Sequence, residues 1–202
     1  MKLDLSAAWD GAMAMLRANR EVVTVLAGVF FFLPYLAFSL LLPDMGIAEA
    51  SAANQSDMNA IAALVQEFYA EFWWALLLLA LIQSVGAIAS LAVLGDSTRP
   101  TVGDALKRGG LLLPTQLAAQ ILAALAIFAP LVLASGIGAA SGSAGVIGLL
   151  TLISLPVMIY IVVKFSLSSP AIAIEETRNP LAALARSWRL TKGNSFRLFF
   201  FF

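Results

Sequence analysis

The sequence predicts an all-α fold: a polytopic helical membrane protein with four complete transmembrane helices, a truncated fifth, and amphipathic helices at the interface. Three observations predict it. Of the 202 residues, 61% are hydrophobic and only 12% charged, against about 45–50% and about 25% in a soluble domain. Uncharged apolar runs recur at lengths that cross a hydrocarbon core of about 30 Å. Finally, all twelve Lys and Arg residues fall in alternate segments between those runs. Residues 1–202 read as a single integral membrane domain.

Taken in order, Leu5, Trp9, Ala12, Met13 and Leu16 recur at helical spacing, with Asp10, Arg17, Asn19 and Arg20 elsewhere. That is an amphipathic helix with its basic residues next to the first span. The first span is Val22 to Leu42, whose 21 residues cover roughly 31 Å at about 1.5 Å each. Fourteen of them are Leu, Val or Phe, each favouring insertion by roughly 0.3–0.6 kcal/mol at a helix centre. A separate interfacial helix is expected next, with Ser56 or Asp57 as cap and Met58, Ile61, Val65, Phe68 and Phe72 as its stripe. Tyr69, Trp73 and Trp74 suit an aromatic belt.

The second span is Phe72 to Gly95. Thr101-Val102-Gly103-Asp104 resembles a capping box, and Gly109-Gly110 is expected to end the short helix behind it. The following apolar run, to Val163, is too long for one helix. Gly136, Gly138, Gly142 and Gly145, with Ser135, Ser141 and Ser143, are expected to break it into a loop. Spans three and four are then 111–133 and 146–163. Asn179 is an N-cap before Pro180 at the first helical position. The helix that follows is expected to place Leu181, Leu184, Ala185 and Trp188 on one apolar face, Arg186 and Arg189 away from it, and to stop at Gly193-Asn194. The three basic helices share a layout consistent with an internal repeat of roughly 80–90 residues. Phe196 to Phe202 is apolar apart from Arg197. It reads either as an interfacial aromatic tail or as the start of a fifth span, with Ser195 as cap, leaning on a groove that later spans would fill.

Segments 1–21, 96–108 and 164–197 hold every basic residue, whereas 43–71 and 134–145 hold none but carry Asp44, Glu49, Asp57, Glu67 and Glu71. The positive-inside rule therefore predicts a cytoplasmic N-terminus, with the bacterial inner (plasma) membrane as the default location. Ala48-Glu49-Ala50 resembles a signal-peptide cleavage site. The apolar run before it is longer than the 7–15 residues of such a leader, so an uncleaved span is expected.

Net charge is zero, so no global field favours nucleic acid. The chain has no Cys and no His. Disulfide and thiolate chemistry are therefore excluded, and the commonest general base and metal ligand are missing. Neither GxGxxG nor the Walker A pattern occurs. No catalytic, cofactor or metal site is predicted. Gln83, Gln116 and Gln120 are amides within spans, the last two on one helix face. They mark either a polar path for a solute or plain interhelical hydrogen bonds. Pro34, Pro114, Pro130 and Pro156 read as kinks, and Gly86 with Ser90 as a helix-packing pair. Lys164 is expected to snorkel to the surface, and Glu175 with Glu176 to lie in a solvated loop. Arg178, Arg186, Arg189, Lys192 and Arg197 form the candidate anionic-lipid contact, each residue worth about 1 kcal/mol beside a charged leaflet. The bland alternative is that they signal topology alone.

The stretch Pro180-Leu181-Ala182-Ala183-Leu184-Ala185-Arg186-Ser187-Trp188-Arg189-Leu190-Thr191-Lys192-Gly193 resembles a signature of the glycerophosphoryl diester phosphodiesterase membrane domain family. These are bacterial polytopic inner-membrane proteins. The helix–span–span layout is similar too, and the resemblance implies six spans. In fused members a separate soluble barrel performs hydrolysis with histidine and acidic metal ligands. No catalytic residue carries over to this histidine-free chain.

The function expected is a non-enzymatic integral membrane protein. It would organise lipid or support a membrane protein partner through basic cytoplasmic helices. The alternative is a transporter or channel component with a polar path between spans two and three. The partners expected are the bilayer, anionic lipids and a membrane protein, without nucleic acid or cofactor.

Overall fold

The computed structural model describes residues 4–41, 58–95 and 101–199. Expectations resting on Asp44, Glu49, Ser56, Asp57 and 200–202, and on the side chains of Leu5, Met58 and Ile61, lie outside what it describes. Among the described residues every element is helical. The chain is an all-α membrane protein with four helices long and apolar enough to span a bilayer.

Helix α1, Leu5–Ala18, starts where Asp4 Oδ1 accepts from the Ser6 and Ala7 N–H groups. It ends at Asn19, whose Nδ2 donates to the Met15 carbonyl. Trp9 and Met15 stay about half exposed on it. The first span is a continuous rod, Arg20–Leu41: α2 (Arg20–Ala27), a π-helical turn (Gly28–Phe32) and α3 (Leu33–Leu41). The wide turn has a local cause. Pro34 has no N–H for the Phe30 carbonyl, and its ring would strike that carbonyl in a regular helix. Leu33 N–H instead reaches back to Gly28 O, which opens the turn.

Helix α4 is Met58–Gly95, 38 residues without interruption. The expected interfacial helix and second span are therefore one helix. At about 1.5 Å per residue it is roughly 57 Å long and extends beyond the hydrocarbon. Tyr69, Trp73 and Trp74 are uncovered on it. Helix α5, Val102–Ser141, corrects two further expectations. Thr101 does cap it: Oγ1 accepts from Asp104 N–H and donates to Asp104 Oδ2 at 2.7 Å. But Gly109-Gly110 does not end it, and Ser135, Gly136 and Gly138 do not form a loop. In lipid a backbone has no water to turn to, so a helix that breaks leaves unpaired groups. Glycine there serves close approach instead. A Cβ on Gly109 would stand 3.1 Å from the Val85 carbonyl oxygen, and one on Gly138 would stand 2.6 Å from Ile147 Cγ1. The connection shrinks to Gly142 and Ser143, with Gly142 left-handed at φ 64°. Without a separate second amphipathic helix, the repeat layout loses one of its three units.

Helix α6, Ala144–Phe165, returns antiparallel to α5. Ser166 and Leu167 break the chain before α7, Ser168–Glu175. Asn179 Oδ1 then caps α8, Pro180–Leu190, by accepting from Leu181 and Ala182 N–H, as the sequence predicts. Gly193, at φ 82°, turns the chain into α9, Ser195–Phe199. Ser195 is not the cap of α9. Leu198 N–H bonds Asn194 O, while Ser195 Oγ donates back to Thr191 O. Pro114, Pro130 and Pro156 sit inside α5 and α6, which run through them.

Two clusters of buried side chains lie on the side of the bundle away from the Gly142-Ser143 turn. Leu26, Ala89, Val93 and Ala105 join α2, α4 and α5, with Val22, Val102 and Leu106 packed against them. Ile88, Leu112, Ala119, Ile172, Ala173 and Ala183 join α4, α5, α7 and α8. Gly86 lets α4 approach the π-helical turn: a Cβ there would lie 2.3 Å from Phe30 Cβ. Of the small-residue pair, Gly86 thus stands at a close helix contact.

Candidate functional site at the basic end of the bundle

Three basic segments, far apart in sequence, converge on that packed end. Val22 and Leu26 meet Val102, Ala105 and Leu106. Arg108 pairs with Glu176 at 3.6 Å, and Thr115 Oγ1 donates to the Arg178 carbonyl at 3.0 Å. The start of the first span, the start of α5 and the 164–190 region therefore share one face of the molecule, the parity that the charge segregation requires.

Helix α8 lies over this end, and of the apolar face that its sequence predicts only Leu184 turns inward. Ala183, Leu184, Ser187 and Thr191 are buried, while Leu181 is 64% and Trp188 40% exposed. The inward stripe is small and hydroxylated because it must hold polar backbone. Ser187 Oγ donates to the Lys164 carbonyl at 2.7 Å and accepts from Leu167 N–H at 3.2 Å. One hydroxyl satisfies both sides of the α6–α7 break. Thr191 Oγ1 closes the helix by donating to Ser187 O.

The five candidate cations are not equivalent. Arg186 Nε bonds both carboxylate oxygens of Glu175, at 2.9 and 3.2 Å. It therefore does not simply face head groups as expected. Glu175, the last residue of α7, and Glu176, in the loop behind it, are both exposed, the solvated setting expected, and each also pairs with an arginine. Arg178, Arg189 and Lys192 are exposed, with no carboxylate within 4.0 Å among the described residues. Arg197 is exposed on α9. Lys164 overturns the snorkelling expectation: it is 3% exposed, its Nζ over the Tyr160 and Trp188 rings. Sequence alone missed this because the covering ring arrives from α8, 24 positions later.

The three amides are not brought into one line. Gln116 is buried, its Nε2 donating to Ser169 Oγ at 2.7 Å across α5 and α7. Its Oε1 has no hydrogen-bond partner among the described residues. Gln120, one turn on, is exposed and accepts a long 3.5 Å bond from Ser84 Oγ on α4. Gln83 is half-buried beside Ser84 in sequence.

Fold and site together define a class, a multi-pass helical membrane protein with a polar-stitched basic end. Comparison with protein-family models, with curated proteins and with solved structures finds no match for this chain.

Proposed function

We propose that this chain is a non-enzymatic protein of the bacterial inner membrane, its N-terminus cytoplasmic. It organises anionic lipid, or seats a membrane partner, through its basic end. One observation carries the reading. Helix α8 turns its small residues inward and leaves Leu181 and Trp188 uncovered, alongside exposed Arg189 and Lys192. An apolar side chain that dips into a leaflet beside a cation that pairs with its head groups is how an interfacial helix seats itself. The likeness of 180–193 to the glycerophosphoryl diester phosphodiesterase membrane domain family belongs to this proposal, without its hydrolytic activity. Glu175 and Glu176 support the non-enzymatic reading, since both carboxylates are held in ion pairs.

The test uses the full chain in nanodiscs. Replacing Arg178, Arg189 and Lys192 together with Gln should lower its preference for anionic over neutral lipid, by roughly 3 kcal/mol at low salt and less at high salt. An unchanged preference removes the electrostatic part of the proposal. The transporter reading draws support from one atom, the unpartnered Gln116 Oε1. Solute flux lost in a Gln116→Leu variant would promote it.

A further inference from the structure

Three consecutive residues of α8 grip three parts of the segment formed by α6 and α7. Arg186 Nε bonds the Glu175 carboxylate, at the end of α7, at 2.9 and 3.2 Å. Ser187 Oγ donates to the Lys164 carbonyl at 2.7 Å and accepts from Leu167 N–H at 3.2 Å, across the junction. The Trp188 ring meets Tyr160 edge to face at 6.0 Å and Phe165 at 5.8 Å, both on α6, and lies 5.3 Å from the Lys164 ammonium.

The junction itself is close to helical. Ser166 has φ −57° and ψ −28°, and Leu167 departs from the helix at φ −96° and ψ 10°. In an unbroken helix Leu167 N–H would bond the Val163 carbonyl, and Ser168 N–H the Lys164 carbonyl. The Ser187 hydroxyl occupies one group of each pair instead. Pro170 lies four residues past Ser166, where its ring weakens a helix. It does not by itself account for the break, because α5 and α6 run through Pro114, Pro130 and Pro156. The break also changes what the segment touches. Helix α6 packs along α5, whereas α7 crosses to α4, with Ile172 in one buried cluster with Ile88 and Ile174 beside Gly95. A lipid tail is as apolar as these partners, so the polar groups at the junction decide between the two arrangements of residues 144–175.

We infer that α8 is a strap. Docked, it holds the α6–α7 junction open; released, it lets residues 144–175 close into one helix that carries α7 away from α4. The device goes beyond lipid contact at the basic end and needs no anionic lipid to operate.

The chain has no cysteine, so nitroxide pairs on the full chain report directly in nanodiscs of phosphatidylcholine. One pair, Ile153→Cys with Ile174→Cys, straddles the junction. A second, Ile153→Cys with Leu181→Cys, follows α8. All three native side chains are more than half exposed. With α8 intact each pair should give one distance. Ser187→Ala should add a longer junction distance, toward about 32 Å for an unbroken helix between the two sites. Its share relative to the short distance should rise at least about fivefold, the equivalent of about 1 kcal/mol for one hydrogen bond. The α8 pair should change in the same fraction of molecules. Arg186→Gln/Trp188→Leu alters only the exposed rim of α8 and keeps Ser187, and should act in the same direction by a smaller factor. Pro170→Ala added to Ser187→Ala should raise the long share further, because it returns one N–H to the joined helix. A junction distance unchanged in both α8 variants overturns the inference and leaves Pro170 as the cause of the break. An α8 pair that moves while the junction pair does not also overturns it. If Ser187→Ala does not fold, the rim variant decides by the same criterion.

Discussion

The basic end and the α5–α6 hairpin both carry large apolar side chains, which meet different fates. At the basic end Ile88, Ala89, Leu112, Ile172 and Ala183 are buried among four helices. Along the hairpin Leu125, Val132 and Leu152 are each about two-thirds exposed. Hydrophobicity cannot make this difference, because a lipid tail is as apolar as a leucine. What separates the regions is glycine and hydroxyl. The basic end has Gly86 against Phe30, Gly109 against Val85, and Ser187 across a helix break. The hairpin has one comparable approach, Gly138 against Ile147.

The largest effect that could break this contrast is at Gly86. A Gly86→Val variant must push α4 away from the π-helical turn and should cost about 3 kcal/mol or more, read as a fall in the unfolding midpoint in detergent. Next comes Ser187→Ala, which strips Leu167 N–H and the Lys164 carbonyl of their shared partner. A loss of about 1–3 kcal/mol is expected in the same titration. Arg186→Gln removes a pair whose side chains are 44% and 40% exposed, so only about 0.2–1 kcal/mol should go, and less in high salt. The smallest change belongs to the hairpin. Leu125→Ala or Leu152→Ala should stay within about 0.5 kcal/mol in lipid, since neither vacates a protein core. A hairpin leucine as costly as Ser187 would erase the distinction.

How much was legible follows the same line. The spans could be read because length and lack of charge are local properties, and so could the Thr101 and Asn179 caps. Gly109-Gly110 does not end a helix and the break expected over Gly136–Gly145 narrows to Gly142-Ser143, because glycine as a breaker is a rule for chains in water. Periodicity shows that α8 has an apolar face but not which residues meet the bundle: Leu184 is buried with Ala183 and Ser187, while Leu181 and Trp188 stay outside. In the candidate site, the identity of the cations was visible but their partners were not. Arg186 finds Glu175 eleven positions away and Arg108 finds Glu176 from another helix, contacts that only the assembled end creates.

The central claim is that the three basic segments share one face of the membrane, the cytoplasmic one, with the Gly142-Ser143 turn opposite. The chain has no native cysteine, so single substitutions label cleanly with a membrane-impermeant maleimide. In intact cells Ser143→Cys should react, while Asp10→Cys and Asn179→Cys should react only after permeabilisation. Labelling of Asp10→Cys and Asn179→Cys from opposite sides, or of Asn179→Cys together with Ser143→Cys in intact cells, would contradict the account.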